Sequence, residues 1–226
     1  MPVLPSRPDP ACEPGASSTT CPTPDSAAPA TDAPATPEPQ RRDGRAWTWL
    51  AAIEHRWPTW LALAMVAVSV GGEVEPTGLA EGLLVFALGY LGSAVVQRRQ
   101  ATWLVAIVAI AAAALLRLQE QIAPSTVLLA AAVGLVLWAA VRGRLRTDAV
   151  KLETAGMLLF GGVAVVAMAV DPVLGLYLVA AGWLGHALWD IAHLRADKVV
   201  SRSFAEWCAV FDGLRGIGIL VVAALV

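Results

Sequence analysis

Charge is scarce in this chain. Asp, Glu, Lys and Arg make up 15% of its 226 residues, against about 25% in ordinary soluble domains. With 57% hydrophobic residues and a mean hydropathy of +0.64, that shortage excludes an ordinary soluble domain and indicates an integral membrane protein. The net charge of -2 provides no basic surface for nucleic acid, and no Gly-rich phosphate loop follows a strand pattern, so nucleic-acid and nucleotide binding are both set aside. Lysine is almost missing: Lys151 and Lys198 are the only two. The preference for Arg, with abundant Ala and Val, points to a GC-rich bacterial genome and hence to a bacterial plasma membrane. No charged segment followed by an apolar stretch opens the chain, so a secretory signal peptide is not expected.

What the membrane segments lack, the N-terminus has in excess. Eleven of the 15 prolines fall within the first 40 residues, among Ala, Ser, Thr and Asp. Such a stretch cannot bury enough apolar surface to offset its ordering entropy. Residues 1–43 are therefore expected to form a disordered cytoplasmic tail, and residues 44–226 a transmembrane domain. Cys12 and Cys21 lie in the tail and should stay reduced there, leaving Cys208 as a single intramembrane thiol and no structural disulfide.

Crossing about 30 Å of hydrocarbon takes roughly 20 residues at 1.5 Å each. Seven apolar stretches are candidates, approximately 57–72, 79–96, 101–118, 124–141, 152–170, 172–194 and 204–226, the first being the shortest. Pro58, Pro76, Pro124 and Pro172 stand at or between segment starts, where a missing N–H does no harm. The expected fold is an all-α bundle of about seven transmembrane helices. Basic residues alternate cleanly between connections: Arg41, Arg42, Arg45 and Arg56 precede the first segment, Arg98 and Arg99 follow the second, Arg142, Arg144, Arg146 and Lys151 follow the fourth, and Arg195, Lys198 and Arg202 follow the sixth. The intervening connections carry Glu73, Glu75, Glu120 and Asp171. The positive-inside rule then puts the N-terminus in the cytoplasm and the C-terminus outside. Trp47, Trp49, Trp57, Trp60, Trp103, Trp138, Trp189 and Trp207 fall near the cytoplasmic boundary, as an interfacial belt would. No internal repeat of the kind common in transporters is evident.

Against this background a few ionisable residues stand out. His186, Asp190 and His193 occupy the sixth segment, and Cys208, Asp212 and Arg215 the seventh. Ionisable groups at membrane depth are costly unless paired or hydrated. Spacings of three, four and seven residues place His186, Asp190 and His193 on one helical stripe, continued by Gly175, Val179 and Gly182, small enough for close packing of another helix. Counted from the shared cytoplasmic turn, His186 and Asp212 each lie roughly 12 Å deep, and Asp190 and Cys208 roughly 6 Å, so the two antiparallel faces meet level with level.

Two kinds of reading fit these residues. Asp212 and Arg215, at i,i+3, can form an internal ion pair, with Cys208 beside it, and His186 can donate an N–H to Asp212 across the helix interface. Alternatively, His186, Asp190, His193 and Asp212 form a candidate ligand set for one divalent transition-metal ion, though the roughly 10 Å between His186 and His193 along the axis makes two ligands from this helix better geometry than three. Glu153, one turn into the fifth segment, either caps its helix or joins the cluster. A structural or interaction role, with the lipid bilayer and a second copy or another membrane protein as partners, is the leading expectation. A metal-dependent membrane enzyme of lipid-hydrolase type is the alternative, and a small ion or solute transporter the second, disfavoured because the external half reads as nearly free of ionisable residues.

The run Gly182-Trp183-Leu184-Gly185-His186-Ala187-Leu188-Trp189-Asp190-Ile191-Ala192-His193, followed by Cys208 and Asp212, resembles the H-x-x-W-D-x-x-H pattern of a family of small multi-pass bacterial membrane proteins of unknown function. The resemblance covers about 30 residues and implies no activity. That family often carries a second His directly after the last, where this chain has Leu194. A weaker likeness is to membrane hydrolases of the ceramidase and adiponectin-receptor type, whose seven helices hold zinc with three His; here only His186 and His193 lie at depth.

Overall fold

Each apolar run becomes a helix, and most start at a proline, which has no N–H to leave unpaired, or at a polar residue. In a computed structural model that describes residues 56–69, 75–119 and 121–225, seven α-helices and a short 3-10 turn follow in order: α1 (Trp57–Ser69), α2 (Pro76–Val96), the turn Arg99–Ala101, α3 (Thr102–Arg117), α4 (Pro124–Val141), α5 (Asp148–Ala169), α6 (Pro172–Ala196) and α7 (Arg202–Leu225). No strand occurs among the described residues. Six of these helices are long and apolar enough to cross a membrane, α3 when counted with the turn before it as Arg99–Arg117; α1, with 13 residues, is the exception. At 1.5 Å per residue it reaches about 20 Å, short of a bilayer core. The tail 1–43 with Cys12 and Cys21, the tryptophans Trp47 and Trp49, and the loop acids Glu73 and Glu120, lie outside the described residues.

Proline opens α2, α4 and α6 at the first helical turn, as the sequence implies. Two of those starts are capped by carboxylates. Glu75 accepts from the amides of Thr77 and Gly78 at 3.1 and 2.9 Å, and Asp171 from Val173 and Leu174 at 3.0 and 3.4 Å. Helices α2 and α5 begin three and four residues earlier than the apolar runs at Leu79 and Leu152 suggest. Hydropathy counts only apolar residues, whereas a helical first turn is often polar.

Helix α2 is the centre of the bundle. Sixteen of its 21 residues are buried, which suits a segment hydrophobic all round. It packs against α3, α4, α5 and α6, while α7 packs chiefly against α6 and α1. Helices α3 and α4 are peripheral, burying only Thr102 and Ala106, and Leu128, Ala132 and Ala139.

The basic connections gather at one end. Arg99 donates to Val200 O at 3.1 Å and pairs with Asp197, and Arg144 donates to Val95 O at 2.6 Å. At the same end Thr59 and Arg56 both bond Glu206, at 2.7 and 3.3 Å. At the opposite end Arg117 bridges Gly78 O and the Glu81 carboxylate, at 2.9 and 2.8 Å, and the Ser125 amide donates to Glu81 at 3.3 Å. Glu81 is nearly fully buried. This corrects the expectation that the half away from the basic loops is nearly free of ionisable groups.

Candidate buried His and Asp site

The stripe expected on α6 is the face it buries. Gly175, Val179, Gly182, His186, Asp190 and His193 are all inaccessible or nearly so. On α7 the buried face comprises Phe204, Trp207, Cys208, Phe211, Asp212, Gly216 and Ile219. The two helices approach closely because glycine sits where they cross: a Cβ on Gly216 would stand 3.0 Å from the Leu184 backbone N and 2.8 Å from Leu184 Cγ. That proximity brings the deep polar residues into contact.

His186 Nδ1 lies 2.7 Å from Asp212 Oδ2, a cross-helix hydrogen bond, and 3.4 Å from Asp190 Oδ1 on its own helix. All three side chains have 0% exposure. One ligand-type atom from each falls within 4.8 Å of the other two. Around the imidazole stand aromatic rings: Phe160, Tyr90 and Phe86 have centroids 4.8, 5.3 and 6.4 Å away, each at a steep interplanar angle. Tyr90, on central α2, is 1% exposed. Its hydroxyl, both oxygens of Asp190, Asp212 Oδ1, His186 Nε2 and Trp207 Nε1 are buried without a hydrogen-bond partner among the described residues. Buried polar atoms are normally satisfied, so this concentration of unpaired atoms is unusual.

His193 does not join this group. Its Nε2 lies 2.7 Å from Glu153 Oε1 and its Nδ1 2.9 Å from Trp189 O, while Trp189 Nε1 donates to Glu153 Oε2 at 3.3 Å. The separation follows from helix geometry: His193 is seven residues beyond His186, about 10 Å further along the axis, and is level with Glu153 on α5. Tyr90 lies between the two polar groups, its ring centroid 5.1 Å from that of His193 and 5.3 Å from that of His186. Three of the four candidate ligands therefore come together, and the fourth makes a second buried pair.

Arg215 does not pair with Asp212. The carboxylate is engaged by His186, and the arginine is half-buried midway along α7. Cys208 is a fully buried free thiol one turn before Asp212. Trp207 is 1% exposed and stacked on Phe211 with centroids 5.5 Å apart, so it is a core residue and not an interfacial anchor. Tyr90 and Glu81 were not singled out by sequence reasoning; a lone tyrosine and a lone glutamate inside one apolar run are the features that mark them.

No family model matches the chain, and neither a curated protein nor a solved structure matches it.

Proposed function

We propose that this is a multi-pass protein of the bacterial plasma membrane, N-terminus cytoplasmic, with a structural or partner-binding role, in which the buried ionisable residues fix how the helices pack. The reading is carried by one observation: the ionisable pairs with at least one buried member join different helices. His186 with Asp212 ties α6 to α7, His193 with Glu153 ties α6 to α5, and Glu81 with Arg117 ties α2 to α3. Hydrogen bonds between membrane helices contribute about 0.6 to 2 kcal/mol each, and a polar partner fixes the register in a way that lipid-like side chains do not. The His186, Asp190 and Asp212 side chains are sealed from the surface, which supports a packing role over a substrate-accessible centre. The apolar outer faces of α3 and α4, carrying Leu104, Ile107, Val108, Val133 and Leu137, meet lipid or a further membrane helix.

Reconstituting the His186→Ala and Asp212→Ala variants and measuring reversible unfolding in bicelles tests this. Both variants should be destabilised, with strong coupling between them. Should either variant keep wild-type stability and oligomeric state, the packing role fails.

A further inference from the structure

Helix pairing leaves Asp190 without a role. It shares a closed compartment with Asp212 and one imidazole, so the three groups carry two carboxylates against at most one positive charge. No Lys or Arg among the described residues pairs with either aspartate, and Arg215, the nearest along the chain to Asp212, is not bonded to it. Other groups near the compartment are Tyr90 from α2, Cys208 from α7 and, one level away on α6, His193; the first two supply no positive charge, and the His193 imidazole is already paired with Glu153. An isolated buried carboxylate is expensive. Three carboxylate oxygens here, Asp190 Oδ1 and Oδ2 and Asp212 Oδ1, have no hydrogen-bond partner.

From this we infer that His186, Asp190 and Asp212 bind one divalent first-row transition-metal ion between α6 and α7. One imidazole nitrogen and carboxylate oxygens form a donor set suited to zinc, iron or manganese. His186 Nδ1 stands 3.4 Å from Asp190 Oδ1, about the separation of two ligands on a tetrahedral ion bonded at about 2.1 Å. The 2.7 Å contact from Nδ1 to Asp212 Oδ2 is a hydrogen-bond length, so the ion replaces that proton and the pair opens to about 3.4 Å, a shift of about 0.7 Å. The ring's other nitrogen then carries the proton toward the surrounding aromatic faces, weak acceptors for an N–H. Tyr90, whose hydroxyl is unpartnered and lies beside Asp190, is placed to donate to the ligating carboxylate and orient it, as partners of metal-binding carboxylates commonly do. His193 is excluded from the ligand set by its bond to Glu153. A charged ion between two helices accounts for the unpaired oxygens, which helix pairing alone does not.

The test uses full-length protein in detergent, stripped with a chelator and titrated with Co²⁺ under anaerobic conditions, with elemental analysis of protein purified without chelator. Expected are one ion per chain, visible d–d absorption that saturates at one equivalent, and competition by Zn²⁺. His193→Gln should retain the spectrum, whereas Asp190→Asn should weaken Co²⁺ binding by at least tenfold. No saturable absorption in stripped wild-type protein, together with less than a tenth of an equivalent of any transition metal as purified, overturns the site irrespective of how the variants fold. So does a spectrum that Asp190→Asn leaves unchanged and His193→Gln abolishes.

Discussion

Glu153 Oε1 and His193 Nε2 are 2.7 Å apart, a second buried pair about two helical turns along α6 from the deeper site. His193 there faces α5, while His186 meets the two aspartates. The pair is locked on both sides, because His193 Nδ1 meets Trp189 O and the Trp189 indole donates to the same carboxylate. Each helix thus contributes polar atoms at the level where its neighbour can answer them.

Breaking this arrangement from either side should be costly and coupled. Glu153→Gln and His193→Gln each remove part of a buried network, and a pair in contact shows interaction energies of about 0.5 to 3 kcal/mol in a double-mutant cycle. Unfolding of the two single variants and the double variant in bicelles checks this. Additive effects would mean that the bond is energetically idle.

Close packing of α6 makes a second, sharper prediction. A methyl group added at Gly216 would meet the Leu184 backbone at 3.0 Å, and one at Gly175 would meet Ala167 O at 2.7 Å. Backbone atoms cannot step aside as a side chain can, so Gly216→Ala and Gly175→Ala should each destabilise by about 1 to 3 kcal/mol. At Gly218 nothing lies within 4 Å of the added carbon, and Gly218→Ala should be neutral or slightly stabilising. Thermal melts of the three variants side by side read the difference; equal shifts in all three would show that helix propensity, not contact, governs these positions.

The periodicity of α6 made its buried face legible, because spacings of three and four residues on a helix dictate a common side whatever the helix packs against. The register between α6 and α7 followed from counting rise away from a short shared turn, and the contact between His186 and Asp212 sits where that count puts it. Glu153 and Tyr90 were less legible, since they come from helices distant in sequence and no periodicity within α6 or α7 reports which neighbour lies opposite. The same limit explains Arg215: a spacing of i,i+3 permits an ion pair, but a better partner from another helix had already engaged the aspartate. The central position of α2 depends on how all the other helices distribute their apolar faces, which hydropathy does not record.

Glu81 and Arg117 allow a third prediction at the opposite end of the bundle. The Glu81 side chain is 7% exposed while that of Arg117 is 49% exposed, so removing the arginine leaves a largely buried carboxylate with the Ser125 amide as its remaining donor. Arg117→Ala should therefore destabilise more than Glu81→Gln, which keeps an acceptor for that amide and removes the charge. The double variant should recover part of the Arg117→Ala loss, because an unpaired buried charge costs more than a missing pair. Denaturant or thermal unfolding of the three variants measures the order, and an Arg117→Ala effect smaller than that of Glu81→Gln would contradict it.

Glu75 supplies the pH dependence. Partial burial pushes its carboxyl upward, but hydrogen bonds from the Thr77 side chain and from the amides of Gly78 and Thr77, with the Arg117 charge nearby, outweigh that and hold it below its usual value of 4.5. A folded-state pKa below the unfolded one adds stability that is fully present above the unfolded value and is lost as pH falls through the folded value. The start of α2 should therefore loosen progressively on acidification below about pH 4.5, as the protonated carboxyl becomes a poorer acceptor for the two amides that it caps. Glu75→Gln keeps a carbonyl acceptor but cannot titrate, so its amides at Thr77 and Gly78 should exchange slightly faster than wild type at pH 7 and show a smaller change in protection between pH 5 and pH 3. Amide hydrogen exchange corrected for its intrinsic pH dependence measures this in both proteins. Identical acid responses would place the titrating group elsewhere.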